Sequence, residues 1–122
     1  MAYDQSNIFA KILRGEIPCD KVYEDEHVLA FRDINPQTPT HILVIPKGPY
    51  ESFDDFSQDA TAEEITGLLR AAGKIARDAG VVEAGYRVLA NTGRDGHQEV
   101  PHFHLHIFAG KDLGRMIKPV EK

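Results

Sequence analysis

Five of the six histidines fall in two places: His41, and the stretch that holds His97, His102, His104 and His106. The run Pro101-His-Phe-His-Leu-His-Ile-Phe108 alternates imidazole with apolar side chains. On a strand that alternation puts His102, His104 and His106 on one face and Phe103, Leu105 and Ile107 in the core behind. Adjacent imidazoles then sit roughly 7 Å apart at the Cα level, from about 3.3 Å rise per residue. A polar surface ladder would more naturally use Thr, Lys or Glu. A zinc site needs three or four N, O or S ligands at about 2 Å, which strand histidines can supply. The third chemistry is nucleophilic: a neutral imidazole attacks phosphorus well and leaves well, splitting one displacement into two. It needs its far nitrogen hydrogen-bonded to fix the tautomer, with donors for the phosphoryl charge that a protonated neighbouring histidine could reinforce. The triplet alone leaves metal and phosphorus chemistry equally open.

Context favours phosphorus. The loop Asn91-Thr-Gly-Arg-Asp-Gly-His-Gln-Glu99 has glycines that let backbone approach an anion, and an amide, Gln98, near the strand entrance. Upstream, Asp33 follows a strand carrying Phe31: a carboxylate able to take both hydroxyls of a ribose beside an aromatic wall. Taken alone, Asp33 reads as a turn cap, and Ile8, Phe9, Ile12, Phe31 and Leu43 as plain core. In combination they outline a nucleoside pocket beside a phosphate site.

These residues need a scaffold. Residues 6–14 predict a short helix capped by Ser6 or Asn7 and stopped at Gly15. Lys21–Glu24 and Val28–Asp33 predict paired strands around an Asp25-Glu26-His27 turn. Ile34–Pro39 is a proline-punctuated loop, and Thr40–Lys47, apolar on both faces, reads as a central strand. A long helix spans about Thr61 to Ala79: Thr61 and Glu64 form a capping box, and Ile65, Leu68, Leu69, Ala72, Ile75, Ala76 and Ala79 form one apolar stripe ending at Gly80. Tyr86–Asn91 and Val100–Ala109 complete five strands, and the tail from Gly110 carries no period. Short connections favour an antiparallel sheet in an α+β fold.

At 122 residues the chain suits one domain. A net charge of −5 disfavours nucleic acid and anionic membranes as partners. The lone cysteine, Cys19, excludes an internal disulfide and a Cys-x-x-Cys clip. Met1–Asn7 has neither a basic nor an apolar signal region, and no apolar run reaches bilayer length, so the expected location is cytoplasmic.

The segment HFHLHIF closely resembles the signature of the histidine triad (HIT) family of nucleotide hydrolases and transferases. NIFAKILRGEIPCDKVYEDEHVLAFRDINPQTPTHILVIPK, the helix and GYRVLANTGRDGHQEVPHFHLHIFAG resemble its Hint branch, especially the bacterial members, over about residues 7–110. The resemblance implies a HIT-like fold: one domain with core 7–110 and tail 111–122, and a homodimer whose sheets join across a two-fold axis. It implies a metal-free, cofactor-free hydrolase acting on purine nucleoside phosphoramidates such as AMP-amines, with acyl-adenylates as further substrates. Its rivals are a dinucleoside polyphosphate hydrolase, a nucleotide-binding scaffold without turnover and a metal-dependent hydrolase.

By the same resemblance His104 would be the transiently nucleotidylated nucleophile. His102 would orient it through its backbone carbonyl, with His106 and His41 in support. Gln98 and the backbone near it would hold the α-phosphate, and Asn91 would help at the phosphate or ribose. Glu99 would be among the nucleotide-binding residues, and Asp33 would bind the ribose hydroxyls. Ile8, Phe9, Ile12, Phe31, Ile34 and Leu43 would enclose the purine. Several positions depart from the branch: His97 stands where a second glycine is usual, Pro101 replaces an aromatic, and the tail from Lys111 matches poorly. Glu99 matches the bacterial members, where eukaryotic ones carry serine.

Overall fold

The computed structural model describes residues 3–120; Met1, Ala2, Glu121 and Lys122, the outer ends of the polar N-terminal stretch and of the tail, lie outside the described residues. The chain forms α1 (Ile8–Leu13), β1 (Lys21–Glu24), β2 (Val28–Arg32), β3 (Thr40–Pro46), α2 (Phe53–Asp59), α3 (Ala62–Asp78), β4 (Arg87–Leu89) and β5 (Leu105–Ala109). The strands lie in the order β1-β2-β3-β5-β4, with every neighbouring pair antiparallel. This is the α+β sheet expected from the pattern. Among the described residues no helix is long and apolar enough to cross a membrane.

The long helix starts where its capping chemistry dictates. Glu64 N donates to Thr61 Oγ1 at 3.1 Å, and Thr61 N donates to Glu64 Oε1 at 3.0 Å. Gly80, at φ +73°, takes the left-handed conformation that ends the helix at little cost. The buried stripe of α3 is Leu68, Ala71, Ala72, Ile75 and Ala76. Leu69 departs from the expected stripe and is 61% exposed, because one residue on from Leu68 it points about 100° around the helix. Ala79 is exposed as well.

The stripe packs on one face of the sheet, against Val28, Ala30, Ile42, Val44, Leu105 and Ile107. Each large aliphatic side chain buried there contributes roughly 1.5–3 kcal/mol. The opposite face carries a second cluster in which Phe9 from α1 covers Leu29, Phe31, Leu43 and Ile45. Register sets Leu43 opposite His106 and His41 opposite Phe108. His41 and His106 therefore emerge on this second face, beside the α1 cluster.

Three elements differ from the sequence expectation. Helix α2 lies outside the sequence expectation, since FDDFSQD shows almost no apolar period. Its signal was the Ser52–Asp55 capping box, both of whose bonds are formed, and it delivers Phe56 against Phe103 with ring centroids 4.8 Å apart. Strand β4 shortens to Arg87–Leu89, while β5 begins at Leu105 rather than Val100. The ladder between β3 and β5 stops at Val44 opposite Leu105. Beyond that point Pro46 has no N–H to donate, and its carbonyl accepts from the His102 ring at 2.8 Å. Phe103 N turns instead to Tyr50 O at 2.8 Å. His102 and His104 thus precede the strand rather than standing on it.

Candidate active site

Imidazole chemistry depends on which nitrogen carries the proton, and here the hydrogen-bond partners decide it. The His104 Nδ1 lies 2.7 Å from the carbonyl oxygen of His102. A carbonyl only accepts, so Nδ1 carries the hydrogen and Nε2 keeps its lone pair. Nε2 makes no hydrogen bond among the described residues, where no side-chain nitrogen or oxygen is buried without a partner, so this lone pair opens toward solvent. The remainder of His104 is enclosed, with the edge of Phe9 against its ring at a centroid distance of 5.0 Å.

The same reasoning fixes the other three rings. His102 is fully buried and donates from Nε2 to Pro46 O, leaving Nδ1 as an acceptor for the Tyr3 hydroxyl. His41 Nδ1 accepts from the backbone N–H of Gln37 at 3.2 Å, so its hydrogen sits on Nε2, 3.0 Å from His106 Nδ1. His106 Nδ1 must then accept, and its Nε2 is left as the N–H. The rings of His104 and His106 lie 5.0 Å apart. The site presents a lone pair on His104 beside an N–H on His106, a nucleophile next to a donor for a phosphoryl oxygen or a leaving group.

Burial holds these rings neutral. It pushes His102 and His106 down to about 4, the nearby His104 and His41 lowering His106 further. Burial also lowers His104 and His41, against the opposing pull of Asp33 on both. The protonated neighbour considered from the sequence is therefore absent in the free protein, because enclosure and mutual repulsion outweigh the carboxylate.

Asp33 combines two positions. One oxygen accepts from Asn35 N at 2.8 Å, the turn cap expected of an Asp before a loop, while Oδ2 lies 3.5 Å from His41 Nε2. Phe9, Phe31 and Leu43 are buried together, with Ile12 packed at the margin. The structure does not bring every residue named from the sequence into this cluster. Ile34 is 93% exposed and Ile8 47% exposed, so in the free chain neither encloses anything.

Gln98 is engaged elsewhere. Its amide nitrogen donates to Glu51 O at 2.6 Å and Val100 O at 3.0 Å, and its oxygen accepts from Gly93 N at 3.2 Å. That side chain staples the 91–99 loop to the α2 approach and offers no free donor to a phosphate. Asn91 is half-buried and Glu99 exposed, with Glu99 near enough to bear on the charge of His104. His97 adopts φ +57°, the left-handed region that a glycine takes more easily, so the backbone suits the glycine that the resemblance expects, and nothing in the structure explains the histidine.

A residue that pattern reading missed is Tyr3. Its hydroxyl meets His102 Nδ1 and accepts from Asn7 Nδ2 at 2.8 Å. The only sequence signal was indirect: a buried imidazole with one ring nitrogen still needing a partner.

One group among the described residues could hold a metal ion, namely Asp33, His41 and His106, with potential ligand atoms within 4.8 Å of one another. A metal there would need the lone pair of His41 Nε2. The Gln37 N–H directed at Nδ1 places hydrogen on that nitrogen instead, so the arrangement does not suit the ion unless that bond is given up.

The HIT domain family matches residues 14–113. The chain belongs to the HIT family. It is 48% identical to the purine nucleoside phosphoramidase of Escherichia coli K12 over 93% of this chain and 94% of that protein. It is 47% identical to a 14 kDa zinc-binding protein of Zea mays over 90% and 86% of the two chains. A solved HIT family hydrolase from Clostridium thermocellum superposes with a TM-score of 0.86 at 37% identity, covering 94% and 99%. Of His102, His104 and His106, the first two carry the hydrogen bonds that lead from the part-buried Tyr3 to an open lone pair, and the third is bonded to His41.

Proposed function

We propose that this HIT protein hydrolyses nucleoside monophosphate adducts, purine nucleoside phosphoramidates foremost and acyl-adenylates next, with His104 as nucleophile. One observation carries the reading: His104 is held as the Nδ1–H tautomer by His102 O while its Nε2 stays free, with the His106 ring centroid 5.0 Å from its own. The name of the E. coli relative supports the substrate class.

In the first step the His104 Nε2 lone pair forms a bond to the α-phosphorus as the P–N bond breaks. The ring becomes cationic, and the carbonyl of His102 stabilises its Nδ1–H. The departing amine needs a proton, since an amide anion is too poor a leaving group. The anionic phosphate offsets the burial that keeps the His41–His106 pair neutral, so the pair takes up a proton with the substrate and passes it to the leaving nitrogen. In the second step water attacks phosphorus, gives its proton to the pair, and His104 leaves neutral with nucleoside monophosphate released. Asp33 holds the ribose hydroxyls with its outer oxygen, and Phe9, Phe31, Leu43 and Ile12 form the base wall. Asn91 and Glu99 border the phosphate side.

Steady-state hydrolysis of an adenosine phosphoramidate, with and without EDTA, is the test. Turnover unchanged by chelator is expected. Its loss would move the chemistry to Asp33, His41 and His106 as metal ligands, the second reading, which the zinc-binding name of the maize relative brings forward. Comparing dinucleoside polyphosphates with phosphoramidates separates the two leaving groups, and tight nucleotide binding without turnover would mark a scaffold.

The single HIT domain acts, in this reading, in the cytoplasm and as a homodimer. The sheet ends in the short edge strand β4, where Val88 is 44% exposed, and Leu69 and Val82 on and after α3 are 61% and 52% exposed. An apolar edge of this kind invites pairing with a second sheet edge. Light scattering on the eluting protein should give twice the chain mass, and Val88→Lys should shift it to the monomer. A monomeric wild type at micromolar concentration would remove the dimer.

A further inference from the structure

The Tyr3 hydroxyl, the neighbour of the only acceptor nitrogen on His102, joins the N-terminal segment to the histidine triad. Resting on the reading of His104 as nucleophile, we infer that Tyr3 is a positioning residue for that reaction: its hydroxyl, together with Pro46 O, pins the His102 ring, and so holds in place the His102 carbonyl that sets the tautomer of His104.

The connection is continuous. Asn7 caps α1 by accepting from Ala10 N at 2.9 Å, and its amide nitrogen donates to the oxygen of Tyr3 at 2.8 Å and to Asp4 O at 2.7 Å. With its oxygen occupied by that donor, the Tyr3 hydroxyl has its hydrogen free for His102 Nδ1, which lies within hydrogen-bonding reach. A ring nitrogen that accepts forces the hydrogen onto the opposite nitrogen, so His102 donates from Nε2 to Pro46 O at 2.8 Å. That bond anchors the His102 residue where β3 ends. The carbonyl of the anchored residue in turn receives His104 Nδ1 at 2.7 Å. Three successive donors, Asn7, Tyr3 and His102, thereby fix the residue whose carbonyl sets which nitrogen of His104 is open.

No other donor to His102 Nδ1 is present among the described residues. Without the hydroxyl, the fully buried ring keeps Pro46 O as its one partner and is left with an unsatisfied nitrogen. The ring can then turn to find a donor for Nδ1, which strains its bond to Pro46 O and shifts the carbonyl that holds His104.

The test compares wild type, Tyr3→Phe and Asn7→Asp in the full chain. Asn7→Asp keeps a good helix cap but replaces the donor to Tyr3 by a carboxylate that competes for the hydroxyl hydrogen. Imidazole ¹⁵N spectra report the tautomers without requiring turnover. Wild type should show a single Nε2–H form for His102 and a single Nδ1–H form for His104, with both variants showing mixtures. With an adenosine phosphoramidate, kcat should fall on the order of ten- to a hundredfold in both variants while KM stays within about twofold, as expected when a catalytic imidazole is held in the wrong tautomer. A lowered Tm with unchanged tautomers and kcat would make Tyr3 merely structural and overturn the inference. If the wild type itself does not turn over, the functional reading fails, and the spectra still support or overturn the role of Tyr3 on their own.

Discussion

His104→Gly should lose at least about 10³-fold in kcat on an adenosine phosphoramidate, equivalent to about 4 kcal/mol of transition-state stabilisation. The reason is that no other ring nitrogen in the site can take over. His102 is enclosed, with both nitrogens bonded to Tyr3 and Pro46. His41 Nε2 carries hydrogen, and His106 Nδ1 is occupied by it. Nucleotide affinity should change little, since Phe9, Phe31, Leu43 and Asp33 are held by other contacts. Glycine also leaves an imidazole-sized gap, so added imidazole should restore part of the first step. Retention of more than a few percent of activity in single-turnover assays would remove His104 from the nucleophile's role.

The second large effect is on stability. His102 titrates near 4 in the folded chain against an ordinary 6.5, because burial disfavours its charged form. Between those values the unfolded chain binds a proton that the folded chain does not. Stability is therefore whole above about pH 6.5 and declines as the pH falls, with the full loss reached as the folded ring itself protonates near pH 4. For His102 alone the shift corresponds to about 3 kcal/mol, and the lowered His106, His104 and His41 act in the same direction. Carboxylates act lower on the scale. Glu24, drawn down to about 2 by Lys47 and Lys21, contributes stability above its ordinary 4.5 and loses it only as the pH falls from there toward 2. Urea unfolding from pH 7.5 to pH 5 should thus isolate the histidines. A flat free energy across that interval would show that the rings are charged in the folded state or accessible to water.

The scaffold was more legible in the sequence than the site. Thr61 and Glu64 announced α3 because a capping box is local, and β3 was readable as central because both of its faces are apolar. Local signals failed where distant groups compete. The start of β5 depends on Pro46, far upstream in the chain, and Ile34, in the loop between β2 and β3, is exposed although its residue type suits a pocket wall. The histidine spacing directed attention to His102, His104 and His106. It said nothing of their hydrogens, which are set by Gln37, Pro46 and Tyr3 at separations of 4, 56 and 99 residues. Gln98 shows the converse: an amide well placed in sequence for a phosphate is held by three backbone groups instead.

That β5 begins only at Leu105 bears on any attempt to transplant this chemistry. A designer who copied His-x-His-x-His onto a regular strand would reproduce the spacing and the shared face. On such a strand the first residue's carbonyl would serve a neighbouring strand's amide, leaving the middle imidazole free to hold hydrogen on either nitrogen. The portable unit is larger and less regular: a proline-terminated strand, the irregular approach to its neighbour, and an N-terminal arm with a tyrosine. Grafts should be judged by the proton positions they enforce before their geometry is compared.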